Sequence, residues 1–285
     1  MTCLPASALG ANTLALSEAE AQSLHAYLSA EKAAATRRAY QSDWKGFVSW
    51  CEDRGAEPLP ARVETICAFL VHEAERGLKA SSVSRSLAAI RYAHKLANVD
   101  PLPSDSEAVR AVLRGIRRSK GTRPEQKAPA TAEIVKTMIT HCPQTLAGLR
   151  DKAILLLGFA GAFRRSELSA LDLGDLEFVK EGLRVTVRRS KTDTTGQGFV
   201  KPILHGATPS TCPVAAIEAW IKAARIENGF LFRRLGKGER AEAQALSGYS
   251  IGLIVKDYAV KVGLDPDTIG GHSLRAGFCT SAAMA

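Results

Sequence analysis

"ILLLGFAGAFRRSEL" occupies Ile154–Leu168. An apolar segment ends there in two adjacent arginines, and the chain then turns amphipathic. Leu168 and Leu171 follow Arg164 at the spacing of one helical face. Arg164 is therefore expected to point with the leucines into the body of the protein, and Arg165 away from it. Gly158 and Gly161 are expected to interrupt the earlier helix, so that Arg164 opens a new one. A cation at a helix amino terminus is disfavoured unless an anion is present. Exposed backbone N–H groups together with a guanidinium make a phosphate or carboxylate site. Glu167, three residues on, can orient the arginine. The plainer alternative is a buried structural ion pair between the two.

Downstream, "LRVTVR" (Leu183–Arg188) alternates apolar and polar residues, as a half-buried strand does. Turn-like residues flank it. "FVKPIL" (Phe199–Leu204) fits a return strand, with Pro202 favouring an edge position. Lys191 sits at the tip of this expected hairpin, where a flexible lysine can reach a phosphate and pass a proton. On its own it is as readily a solvated lysine. Helices are expected around 132–140 and 147–160, from Pro213, and from about Ser250 to the stop at Gly263. "GGHSLRAGF" opens a last helix. It places His272 and Arg275 on one face, behind two glycines that permit close backbone approach to a ligand. By itself a His-x-x-Arg pair is weak, since most such pairs are surface residues.

Upstream, the chain reads as a compact helical unit from Ser17 to Arg118, after a featureless tail over residues 1–16. Ser17 and Glu20, and again Ser104 and Glu107, have capping-box spacing. Apolar stripes run through Tyr40–Cys51, Val63–Leu70, Val83–Ile90 and Val109–Ile116, with Gly55 and Gly77 as stops. "RRSKGTRPEQKAPAT" (Arg117–Thr131) is basic, lacks an apolar period and reads as an interdomain linker, centred on residues 119–130. The mixed second unit then spans residues 131–285.

A net charge of +9 points to a polyanionic partner, nucleic acid first. Hydrophobic residues at 46% support a packed core and argue against disorder as the main state. The six cysteines form no Cys-x-x-Cys pair and the histidines no metal-ligand spacing, so neither a disulfide framework nor a metal site is expected. No secretory signal or membrane span is legible, so the expected location is the cytoplasm, on the nucleoid of a prokaryote.

In combination these stretches are specific: Arg-x-Ser-Glu-Leu at a helix start, a hairpin lysine, then His-x-x-Arg. Over most of its length the sequence resembles the tyrosine recombinase (phage integrase) family. "TRRAYQSDWKGFVSW", "KASSVSRSLAAIRYAHKLANV" and "VRAVLRGIRR" look like the helical core-binding domain of that family. The resemblance implies a mainly α fold with a small antiparallel β-sheet. A core-binding domain would precede a mixed α/β catalytic domain. It matches Arg164 and Arg275 to the two catalytic arginines, Glu167 to the acidic residue behind the first, Lys191 to the hairpin lysine and His272 to the histidine. It implies site-specific breakage and rejoining of duplex DNA through a 3′-phosphotyrosyl bond. Neither metal nor other cofactor would be needed, because the covalent bond conserves the ester energy. It also implies self-association, as dimer or tetramer, on DNA.

The family's tyrosine lies beyond the His-x-x-Arg helix. Here all five tyrosines precede His272. The chain is accordingly expected to be truncated before its nucleophile and inactive as it stands. The alternative of another class is a non-catalytic DNA-binding protein of the same fold. An enzyme acting on a small phosphorylated substrate accounts for the anion site but not for the basic helical unit. In that unit the expected DNA contacts are Arg37, Arg38, Lys45, Ser84, Arg85, Arg91 and Lys95, small and basic residues on solvent-facing helix stripes. An ordinary solvated face is the plainer alternative for each.

Overall fold

The computed structural model describes residues 17–20, 22–23, 27, 31–123, 126–188, 190 and 197–284. It divides into two compact units, Met1–Pro124 and Glu125–Ala285. Each builds its own core.

In the first unit, Ser17 and Glu20 exchange reciprocal capping bonds, as their spacing predicts. Among the described residues there follow α1 (Ala34–Glu52), α2 (Val63–Glu75), α3 (Ala80–Leu96) and α4 (Glu107–Lys120). The expected stripes meet inside, with Phe47, Ile66, Leu70, Val83, Ile90 and Val109 fully buried. Gly55 and Gly77 adopt φ +62° and +93°, the left-handed turn that ends a helix without a Cβ clash. Buried His94 accepts the Ala61 N–H on Nε2 and bonds the Ile90 carbonyl through Nδ1, each at 2.9 Å. That pairing fixes the Nδ1–H tautomer and ties α3 to the loop before α2.

Two boundaries differ from expectation. The cap of α4 is Ser106, whose Oγ accepts the Val109 N–H; Ser104 lies in a short 3₁₀ turn ahead of it. Ser and Glu at capping-box spacing are common by chance, and the nearer serine has the extended backbone a cap requires. α4 also continues to Lys120, so the first residues of the expected linker are helical. Basic side chains suit the last turn of a helix, and Gly121, at φ +74°, ends it.

The second unit contains α5 (Ala132–Thr140), α6 (Leu146–Ala160), α7 (Arg165–Ala170), α8 (Pro213–Ala224), α9 (Gly248–Lys261) and α10 (Ser273–Met284). Its strands β1 (Leu176–Val179), β2 (Gly182–Val187) and β3 (Phe199–Leu204) form an antiparallel sheet in the order β1-β2-β3. β2 buries Leu183, Val185 and Val187 and exposes Arg184 and Thr186. β3 is an edge strand, with Pro202 opposite Arg184. A second hairpin pairs β4 (Arg233–Leu235) with β5 (Ala241–Ala245).

α6 is the central helix, with Ile154, Leu155 and Leu157 fully buried. Gly158 does not interrupt it. A Cβ there would lie 2.8 Å from Leu274 and 3.1 Å from Leu168, so the glycine makes room for two neighbouring helices. The helix ends at Gly161.

Candidate active site

Arg164 is the residue that precedes α7, in extended conformation at φ −75° and ψ 148°; the helix itself begins at Arg165. Glu167, one turn in and nearly fully buried, reaches back. Its Oε2 accepts the Arg164 backbone N–H at 2.9 Å and its Oε1 the Arg164 Nη1 at 2.8 Å. The carboxylate thus offsets the unfavourable cation at a helix start. Ser190 completes the network: its hydroxyl accepts from Arg164 Nη1 at 2.6 Å and donates to Glu167 Oε1 at 2.8 Å. Burial alone would raise the Glu167 pKa. The bonds from Arg164 and Ser190, with Lys201 nearby, outweigh it and hold the carboxyl below its usual range.

Arg275 projects from the first turn of α10, and its Nη1 donates to the Ala162 carbonyl at 2.8 Å. Ala162 takes a left-handed φ of +47° between α6 and α7. The same turn receives Lys201 of β3, which donates to the carbonyls of Gly161 at 2.5 Å and Ala162 at 3.3 Å. Lys201 Nζ also lies 3.9 Å from Glu167 Oε2 and 4.3 Å from the centre of the Phe163 ring. Burial lowers its pKa, and Arg275 and Arg164 lower it further against the pull of Glu167. Arg164 and Lys201 thus flank one carboxylate while Arg275 bonds the same turn, leaving an excess of positive charge there.

His272 is exposed in the turn leading into α10, one residue before buried Ser273. Ser273 Oγ accepts the Gly270 N–H at 3.0 Å and fixes that turn. Lys191 lies outside the described residues. The structure thus brings Arg164, Glu167 and Arg275 to one turn and sets His272 at the head of the helix carrying Arg275. Sequence reasoning missed Lys201 and Ser190. Lys201 was visible only as an inward-pointing lysine at position 3 of a strand, a signal easily taken for alternation.

Two glycines of "GGHSLRAGF", Gly271 and Gly277, serve packing, whereas a Cβ on Gly270 would meet nothing within 4 Å. A Cβ on Gly271 would meet the Arg165 side chain at 3.2 Å, and one on Gly277 the Ala130 carbonyl at 1.8 Å. Gly248 and Gly252 of α9 would likewise contact Arg165, at 3.3 and 3.6 Å. Arg165 does point away from the core and is exposed, and its backbone and side chain pass close to Gly248, Gly252 and Gly271.

In the first unit Arg37, Arg38, Lys45, Arg85, Arg91 and Lys95 are all exposed. Two of them are held by carboxylates: Arg85 makes a bidentate pair with Asp43 at 2.7 and 3.0 Å, and Arg91 bonds Asp105 at 2.9 Å. Ser84 bonds the Ala80 carbonyl and accepts from Arg117 at 3.1 Å, which adds a cation from α4 to that surface. Among the described residues no His, Cys, Asp and Glu group is arranged to hold a metal ion, and no helix is long and apolar enough to cross a membrane.

A helical unit followed by a mixed unit, with two arginines and a carboxylate gathered at the α6–α7 turn, defines the class of the site-specific recombinases and integrases. Residues 130–284 match the Phage integrase family, and residues 21–98 the phage integrase N-terminal SAM-like domain. The chain belongs to the phage integrase family. It is 39% identical over 260 residues to an integrase/recombinase XerD homolog of Selenomonas ruminantium, covering 90% of this chain and 76% of that protein. It is 24% identical to recombinase Cre of Escherichia phage P1, over 85% of this chain and 74% of the other. Among solved structures, the integrase of transposon Tn1549 bound to transposon right end DNA shares the fold, at TM-score 0.62 and 14% identity. The match spans 92% of this chain and 85% of that one.

Proposed function

We propose that the chain binds duplex DNA and activates one phosphodiester for attack, as a tyrosine-type site-specific recombinase. The observation that carries this is the convergence of Arg164 and Arg275 on the Ala162–Glu167 turn, with excess positive charge beside it. Attack on a phosphodiester adds negative charge to the non-bridging oxygens. Two fixed guanidiniums stabilise that charge as it grows, with little reorganisation because Glu167 and the Ala162 carbonyl already hold them. In this scheme Lys191 protonates the leaving 5′ oxygen and His272 assists proton transfer at the attacking group. The basic unit ending at Pro124 clamps the duplex through Arg37, Arg38, Lys45, Ser84, Arg85, Arg91 and Lys95, mostly on phosphates.

Association of protomers on DNA belongs to the same proposal. Among solved relatives of this fold is a lambda integrase dimer bound to a core site, at TM-score 0.57.

All five tyrosines precede His272, and the surroundings of two of them do not suit the role of nucleophile. Tyr258 is buried beside Asp151 and Cys142, and burial pushes its pKa up. Tyr92 donates to Glu31 at 2.7 Å in the other unit. We infer that these residues bind DNA without forming a covalent adduct, and that strand cleavage needs a tyrosine they do not supply. The test is a suicide-substrate assay on residues 1–285, alone and joined to a segment that carries a tyrosine. Adducts are expected only with the segment, and Arg164→Ala or Arg275→Ala should cut their rate by roughly a hundred- to a thousand-fold. Adduct formation by residues 1–285 alone, or normal cleavage by Arg164→Ala, would overturn the assignment.

A further inference from the structure

We propose that Lys201 is a positioning residue for the two phosphate-binding arginines, distinct from the hairpin lysine Lys191. It ties strand β3 to the turn that presents Arg164 and anchors Arg275. The inference rests on the proposed function of that cleft.

Lys201 occupies an inward position of β3, opposite Val185 of the central strand. Its flanks are apolar: Phe163 stacks under the ammonium at 4.3 Å and Phe199 at 5.6 Å. A lysine is an expensive choice for such a place unless its donors are used. They are. Two go to the consecutive carbonyls of Gly161 and Ala162, and Glu167 lies 3.9 Å away. The Ala162 carbonyl is shared, since Arg275 donates to it as well. One peptide oxygen therefore joins β3, α10 and the residue two before Arg164. Ala162 has a left-handed φ of +47°, a conformation that persists in a non-glycine residue only where its surroundings enforce it. The lysine and Arg275 supply that enforcement, and their bonds set the direction in which the backbone leaves toward Arg164. An apolar residue at 201 would leave the Gly161 carbonyl without this donor and the turn without its tie to the sheet.

The charged groups facing Lys201 are Glu167 and Arg164 beside α7 and Arg275 and Cys279 on α10. Burial and the two arginines favour its neutral form, so it gives up its proton at lower pH than an ordinary lysine. Positioning by a charged Lys201 should then fail as pH rises, before free lysines titrate.

The experiment titrates inorganic phosphate into the 285-residue chain, followed by ³¹P line broadening, with solvent exchange of the Arg164 and Arg275 guanidinium protons followed by ¹⁵N NMR. Arg164→Ala and Arg275→Ala report on the cleft itself and should abolish phosphate binding. Lys201→Met keeps length and removes the donors. It should weaken phosphate binding about tenfold and speed guanidinium exchange, whereas Lys201→Arg should recover most of both. Between about pH 8 and 10.5 phosphate affinity should fall in the wild type but hold in Lys201→Arg, whose guanidinium stays protonated. If the wild type does not bind phosphate, or the arginine variants bind it normally, the proposed function of the cleft fails. If they lose binding while Lys201→Met matches the wild type in affinity and exchange, the role given to Lys201 is wrong. Should Lys201→Met melt before measurement, the Lys201→Arg pH profile decides: a fall parallel to that of the wild type overturns the inference.

Discussion

Glu167 grips Arg164 at both ends, one carboxylate oxygen on the backbone N–H at 2.9 Å and the other on the guanidinium at 2.8 Å. Side chain and helix start are thereby oriented by a single buried group. Glu167→Ala should destabilise the second unit by about 3–5 kcal/mol, because it strands a partly buried cation. Glu167→Gln, which preserves shape, should lose about 1–2 kcal/mol. Denaturant melts of the three proteins give the order.

The same carboxyl has its folded pKa held below the ordinary value of 4.5. Its stabilisation is therefore present above the unfolded pKa and is lost as pH falls through the depressed folded one. Wild-type stability should decline from about pH 4.5 downward more steeply than that of Glu167→Gln. Equal slopes in acid melts would show that the pair does not contribute.

Two glycines should respond oppositely to alanine. A Cβ at Gly277 would lie 1.8 Å from the Ala130 backbone oxygen, so Gly277→Ala must push α10 off that segment. A loss above about 4 kcal/mol, with a large fall in Tm, is expected. A Cβ at Gly115, inside α4, meets nothing within 4 Å. Gly115→Ala should stabilise by about 0.5–1 kcal/mol through helix propensity.

DNA affinity should fall steeply with salt, since phosphate contacts release counterions. Lys45→Ala or Lys95→Ala should each reduce the salt slope by about 1. Arg85→Ala and Arg91→Ala should change it less, because Asp43 and Asp105 already share those charges. Binding titrations across a salt series separate the two groups.

Trypsin should cut first after Lys120, because the Arg123–Pro124 bond resists it. α4 ends at Lys120, and Arg123 is exposed beyond it. Ala128 and Ala130 donate backbone bonds to Thr268 and Ser273, which protects the chain from there on. Initial cleavage within α3 would contradict this.

Helices with one apolar face were legible in the sequence, and so was the β2–β3 hairpin, because burial on one side writes a period into the residues. Arg164, Glu167 and Arg275 were found because motif spacing and helix geometry coincide there. What escaped lacked such a period. β4 and β5 carry "RRL" and "AEAQA", exposed stretches held by each other. Gly158 reads as a break in the sequence because its packing against Leu274 joins residues far apart in the chain. Lys201 and Ser190 escaped for the same reason: their partners on the α6–α7 turn are decades of residues away, and only folding sets them there.

Pro202 follows Lys201 on the edge strand, and Val200 and Leu204 are exposed on either side. A bare apolar edge invites a strand from another molecule. Here the middle of that edge has no N–H to give, and a second strand laid along it would have to seal a cation in beneath. The two adjacent residues thus make this edge a poor template for a strand from another copy of the chain.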